Sequence, residues 1–247
     1  MASDQMRSSR LFWECLVIVA GILIAFAIDA WWEESEEQRD TDNLLGAFVV
    51  ELQGNVETVR SRLKFRQAKK KSISELLESS RLVSDPGAVG KINALLSDLV
   101  YWGITNFDEG ASRSLVQSGS LAWIEDDALR AKVVGWPDEY LDINRIERQE
   151  YDRVQSVLMP ILISRSNYSA IHNASRGRPG DPDFLPPFDT KISSVDSRSN
   201  WDLITQPDFQ SVLVVLLEDQ GDVILFQKRF VDRAEELAGD IQHYLKK

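Results

Sequence analysis

The sequence predicts an all-α protein, with a single N-terminal transmembrane helix followed by a helical-bundle extramembrane domain whose first helix is long. Three observations predict it. Residues 11–28 read LFWECLVIVAGILIAFAI and are apolar except for Glu14. Beyond them, apolar residues recur at three- and four-residue spacing almost to the C terminus, which is the helix period. Strand signals are weak: Val212 to Leu217 is the one β-branched apolar run, and helical neighbours flank it.

The apolar stretch sets the organisation. At about 1.5 Å per residue, Leu11 to Trp32 spans roughly the 30 Å of a bilayer hydrocarbon core. Trp13 and the Trp31-Trp32 pair stand near its two ends, where an aromatic belt is expected. A secretory signal is the competing reading, since Arg7, Arg10, the run from Cys15 to Ala27 and Ala25-Phe26-Ala27 supply its three regions. A buried soluble helix is a third. The apolar register runs on through Ile28 to the tryptophan pair, and a retained anchor is therefore the expectation.

Flanking charge orients it. Arg7 and Arg10 precede the span, whereas Glu33-Glu34-Ser35-Glu36-Glu37 follow it, and basic residues close to a span stay on the cytoplasmic side. The expectation is a cytoplasmic tail over 1–10, a span over 11–32 and a periplasmic domain over 33–247, in a bacterial inner membrane. The single Cys15 lies inside the span and forms no intrachain disulfide.

At 100° per residue Glu14, Ile18, Gly21, Ala25, Ile28 and Trp32 share one helix face. Gly21-x-x-x-Ala25 lets another helix approach closely, and an ionisable group within a span marks a functional position. This stripe is the candidate docking face for a second membrane helix. Two bland readings stand beside it: small residues are common in spans, and Glu14 lies one turn from Arg10, where an i,i+4 pair satisfies it.

After the span, Leu45, Val49, Leu52, Val56, Val59 and Leu63 alternate by four and three, a 3.5-residue repeat too short for a long coiled coil. No proline precedes Pro86, so the anchor continues as one helix, or with a break near Asp40-Thr41-Asp42, to about Ser80. Asp85-Pro86-Gly87 is a turn. Short helices follow around Ile92 to Val100, Phe107 to Gln117 and Asp126 to Val134, the last two separated by Ser118-Gly119-Ser120. Gly135-Trp136-Pro137-Asp138 reads as a break before a long helix carrying Tyr140, Leu141, Ile146, Tyr151, Val154, Leu158 and Ile161, with Pro160 kinking its end. Residues 176–187, RGRPGDPDFLPP, form an extended loop. Pro207-Asp208-Phe209 opens a C-terminal helical region with a possible break at Gly221-Asp222.

Two stretches carry a resemblance. Glu14, then Gly21-Ile22-Leu23-Ile24-Ala25, then Ile28-Asp29-Ala30-Trp31-Trp32-Glu33 form the first. The second is Ser118-Gly119-Ser120-Leu121-Ala122-Trp123-Ile124, followed by Asp127 and Leu129-Arg130. In these the chain resembles a family of bacterial single-pass proteins classed as domains of unknown function. That family begins Glu, six mostly aliphatic residues, Gly-Ile-Leu-Ile-Ala, then Ile-Asn-x-Trp-x-Glu, and carries a Ser-Gly-x-Leu-x-x-Ile segment. Ala27 and Asp29 stand where the family commonly shows amides. The resemblance covers about a third of the chain and implies a membrane anchor with a helical periplasmic domain. It implies no activity.

The residues that would carry chemistry are few. Only His172 and His243 are present, so a Cys/His zinc site is excluded and a Ser-His-Asp triad has poor material. No phosphate loop, dinucleotide fingerprint or Gly-x-Ser-x-Gly occurs. Asp181, Asp183 and Asp189 lack the glycine and terminal glutamate of a calcium loop. The expectation is no enzyme, no metal and no cofactor. A net charge of −11 opposes nucleic acid. Arg60, Arg62, Lys64, Arg66, Lys69, Lys70 and Lys71 form a basic cluster facing lipid, an acidic partner or the chain's own acidic helices, the last being the expected reading.

The leading functional expectation is a non-enzymatic subunit that docks on a larger inner-membrane complex through its span and periplasmic cap, the bilayer being its other partner. Energy-transducing complexes, photosynthetic or respiratory, are the most populous hosts. The alternative is a periplasmic sensor or ligand-binding domain, possibly a homodimer through the 45–63 seam. Of seven tryptophans, Trp102 and Trp136 are the candidate protein-interface residues, with capping of the helical core as the plain alternative for each.

Overall fold

The computed structural model describes residues 2–80, 89–101, 103–174 and 200–246, with side chains from Leu16 onward. The Asp85-Pro86-Gly87 turn, Trp102, the 176–187 loop and the side chains of Glu14 and Cys15 lie outside the described residues. All regular structure among the described residues is helical. The elements are α1 (Ala2–Ser79), α2 (Val89–Val100), α3 (Gly110–Gln117), α4 (Asp127–Arg153), α5 (Met159–Arg165), α6 (Tyr168–Ala174), α7 (Asn200–Ile204) and α8 (Pro207–Tyr244). A 3-10 turn covers Ser120–Trp123 and a π turn covers Val154–Leu158.

The first helix runs unbroken for 78 residues, so Asp40-Thr41-Asp42 does not interrupt it. Thr41 is buried, and its hydroxyl donates to the carbonyl of Glu37 at 2.9 Å, which satisfies it without leaving the helix.

The chain divides into two compact units, and α1, α4 and α8 each contribute to both. The first comprises residues 1–51, 109–134 and 237–247. Its interior holds Leu45, Phe48, Leu115, Ile124, Val133 and Ile241, all fully buried. The Glu51 carboxylate accepts from the backbone N–H groups of Ala111 at 2.6 Å and Ser112 at 3.3 Å. These are amides of the first turn of α3, which its own neighbours cannot satisfy. The helix therefore starts at Gly110 rather than at the expected Phe107. Gly119 has φ of 83°, a left-handed conformation that costs glycine little, and it turns the chain between α3 and the 3-10 turn. Asp126 then caps α4 by accepting from Ala128 and Leu129 at 2.9 and 3.0 Å. The Ser-Gly-Ser segment is thus a helix-to-helix link whose residue types match its backbone.

The second unit comprises residues 52–108 and 135–236. One part of its interior is aliphatic, built from Ile73 and Leu76 of α1, α2, the π turn, α6, α7 and the start of α8. Another part is aromatic: Trp136, Tyr140 and Phe230 lie 5.4 to 5.9 Å apart by ring centroid, with Phe107 at 4.8 Å from Tyr140 and 5.0 Å from Phe230. The 45–63 seam is buried along its length, at 9% exposure or less. The chain's own interior covers it.

Two expected breaks are absent. α4 passes straight through Pro137, although proline removes the N–H that would bond the carbonyl of Val133 and costs about 3 kcal/mol in a helix interior. Trp136 and Tyr140, 4% and 1% exposed, flank it, and burial of each large side chain contributes about 1.5–3 kcal/mol in return. α8 likewise passes through Gly221 as one helix of 38 residues, with buried Gln220 and Val223 on either side. At Pro160 the helix does not fray: the π turn just before it widens the backbone where the proline ring would meet the carbonyl of Ser156.

Phe230 and Leu141 were both apolar positions in the sequence, yet one is 1% and the other 64% exposed. Phe230→Ala is expected to lower the free energy of unfolding by about 3–5 kcal/mol, whereas Leu141→Ala changes it by less than about 0.5 kcal/mol. Urea titration of the two variants in detergent measures both.

Candidate functional site

The expected docking face is on α1. Every described apolar side chain of the stretch is open: Ile18 is 62% exposed, Ile28 57% and Trp32 68%, with Gly21 and Ala25 also exposed. A soluble core helix would bury at least one stripe, and this one buries none. Among the described residues there is thus one candidate membrane-spanning helix, near the N terminus, by length and composition. Trp136 stands elsewhere, buried in the aromatic cluster at 4% exposure.

A second site was not singled out in the sequence. Buried positions in α1 continue past Leu63 at three- and four-residue spacing to Arg66, Lys69, Ile73 and Leu76. In α4 the repeat runs Trp136, Tyr140, Ile143, Glu147, Glu150 and Val154; in α8 it runs Leu216, Gln220, Val223, Gln227 and Phe230. Each helix therefore places two polar side chains where its repeat calls for apolar ones, and they meet. Arg66, Lys69, Glu147 and Glu150 are 1–2% exposed, and Gln220 and Gln227 are fully buried.

Their bonds close on one another. Lys69 Nζ donates to Glu150 Oε1 at 2.7 Å, and Arg66 Nη1 donates to Glu150 Oε2. Arg66 also lies 3.7 Å from Glu147 Oε1. Gln220 and Gln227 donate their amides to Glu150 and Glu147 at 2.7 and 2.8 Å. Two cations balance two anions, which is the condition under which burying charge is tolerable. Burial pushes the Lys69 ammonium below its ordinary value, against the pull of Glu150. Burial pushes the Glu150 carboxyl up, but Lys69 and Arg66, with the hydrogen bonds they and Gln220 supply, outweigh it and hold Glu150 below the usual range. Arg66 Nε and the carbonyl oxygens of Gln220 and Gln227 have no protein partner among the described residues, a surplus that ordered water takes up in buried sites.

The cluster also holds irregular backbone. Lys69 Nζ donates to the Tyr101 carbonyl at 2.8 Å and Arg66 Nη2 to the Gly103 carbonyl at 2.9 Å. Glu147 accepts from the Thr105 N–H at 2.6 Å and from its hydroxyl at 2.8 Å. A Cβ at Gly103 would come within 2.5 Å of Arg62 Nη1, the far end of a flexible side chain that can move aside.

The basic cluster of the sequence is thus resolved in part into self-pairing: Arg66 and Lys69 bond inward, and Arg60 pairs with Glu235 at 2.7 Å. His172 is half-buried in α6 and His243 is exposed at the end of α8. Among the described residues no three His, Cys, Asp or Glu side chains are grouped to hold a metal ion.

No protein-family model, curated protein or solved structure matches this chain.

Removing one buried charge strands its partners. Glu150→Ala is expected to lower stability by about 3–5 kcal/mol, while Arg145→Ala, which breaks an exposed pair with Asp142, lowers it by less than about 1 kcal/mol. Chemical denaturation of both variants checks the ranking, and equal losses would mean the interior pair is worth no more than the surface one.

Proposed function

We propose that this chain is a non-enzymatic accessory subunit, anchored by α1 in a bacterial inner membrane, whose helical-bundle cap docks on a larger membrane complex. The observation that carries the reading is the stretch from Leu16 to Trp32, apolar except for Asp29 and open on every side, on a helix that runs without a break into a packed interior. Water is a poor solvent for such a surface, and a bilayer with a neighbouring helix is a good one. Arg7 and Arg10 before the span and the acidic run Glu33 to Glu37 after it support a cytoplasmic N terminus and a periplasmic bulk. The resemblance to single-pass proteins of unknown function supports the same placement and adds no chemistry. Photosynthetic and respiratory assemblies are the host class this reading favours. Neither histidine has the surroundings of a catalytic group, which supports a binding role over an enzymatic one.

Affinity purification in mild detergent tests the reading: a stoichiometric set of other membrane proteins is expected, and recovery of this chain alone would overturn it. Gly21→Leu is expected to reduce the co-purified partners about tenfold, the effect of losing one close helix contact, with membrane insertion intact; Val19→Leu is expected to retain them. Equal recovery by the two variants would remove the Gly21 face from the proposal. A reporter fused after Lys247 is expected to be active only if it requires the periplasm.

A further inference from the structure

We propose that segment 103–108 is a strap released by acid, with the buried charge cluster as its latch. The segment has no helix or strand of its own, yet Thr105 and Phe107 are buried, at 2% and 9% exposure. Buried backbone needs partners. Here side chains supply them: Arg66 holds Gly103, Glu147 holds Thr105, and Asn55 both donates to the Asp108 carbonyl at 2.7 Å and accepts from its N–H at 2.9 Å. Just before the strap, Lys69 holds Tyr101. Arg66 and Lys69 are in turn both fixed by Glu150. Glu150 is thus the group on which two of the holding cations depend.

Protonating Glu150 leaves Arg66 and Lys69 buried with Glu147 as the one remaining anion of the cluster, and the strain falls on the strap they hold. The other groups facing Glu150 do not rescue it. From α8 comes Asp219, whose carboxyl burial raises despite its 2.5 Å pair with Arg153 of α4, so it takes a proton earlier on acidification. Since Glu150 lies below the ordinary carboxyl value of 4.5, its contribution is complete above that pH and is lost as the pH falls through its lowered position. One proton taken up on release raises the opening equilibrium about tenfold per pH unit inside that window.

Hydrogen exchange on the full-length chain in detergent micelles tests the latch, read as protection factors so that intrinsic exchange rates cancel. Below pH 4.5 the Thr105 and Asp108 amides are expected to lose protection about tenfold per pH unit, while Leu213 and Phe230 keep theirs. Glu150→Gln, which cannot ionise, is expected to cut Thr105 and Asp108 protection at least tenfold at neutral pH and to abolish the acid slope. The proposal is overturned if strap and core amides lose protection together, if the strap stays protected to the point of unfolding, or if Glu150→Gln leaves both strap amides as they were. Should that variant fail to fold, the pH series on the unaltered chain decides alone.

Discussion

Two cations and two anions share the buried interior of the second unit, and the arrangement of its three long helices depends on their meeting. Placing any of them there singly would cost several kcal/mol of lost hydration. Together they are neutral, and each helix brings a part that is intolerable alone: α1 the charges Arg66 and Lys69, α4 the charges Glu147 and Glu150, α8 the amides Gln220 and Gln227. An aliphatic interior of the same size would accept many registers with similar energy. A slip of one heptad here sets Glu147 beside apolar side chains and leaves Arg66 without a carboxylate, so the polar layer selects one alignment among those the repeat allows. The apolar part of the interior, from Ile73 to Leu216, and the aromatic group around Phe230 add burial on either side in sequence, but neither can choose a register by itself.

The same layer explains why the unit tolerates backbone that is neither helix nor strand. Residues 103–108 would be a liability inside a purely apolar core, because unpaired amides and carbonyls there cost as much as lost hydrogen bonds. Ionised side chains are the strongest partners available to them. Polar groups in the three helices and an irregular segment between α2 and α3 are therefore one design: each makes the other affordable in structural terms, and neither would persist if the other were replaced by leucine.

Much of this was legible in the sequence, and the failures have a common cause. The all-α class, the long first helix and the 45–63 seam followed from periodicity, and the apolar stretch followed from composition. The apolar pattern stops at Leu63 because Arg66 and Lys69 are charged, and in α4 it picks out Leu141, Ile146 and Tyr151 beside Tyr140 while passing over Ile143 and Glu147. Reading hydrophobicity alone discards a core position whenever it is charged. The signal was present in the spacing: Trp136, Tyr140, Ile143 and Val154 keep the 3.5 repeat only if Glu147 and Glu150 are admitted to it. Pro137 and Gly221 misled for a different reason. Both weaken a helix locally, and in both places the packing of flanking residues outweighs the local preference. No pattern in the sequence marks Thr105 and Phe107 as interior, since their burial depends on side chains that lie far away along the chain.

The absence of a flexible joint between the span and the first unit has a mechanical meaning. Because α1 is one helix from Leu16 through Glu51, the stripe bearing Gly21 and the residues bearing Leu45 and Phe48 are geared together like marks on a single shaft. Turning the apolar part of the shaft turns the residues around Leu45 and Phe48 by the same angle, and one extra residue between Trp32 and Thr41 would swing one against the other by about 100°.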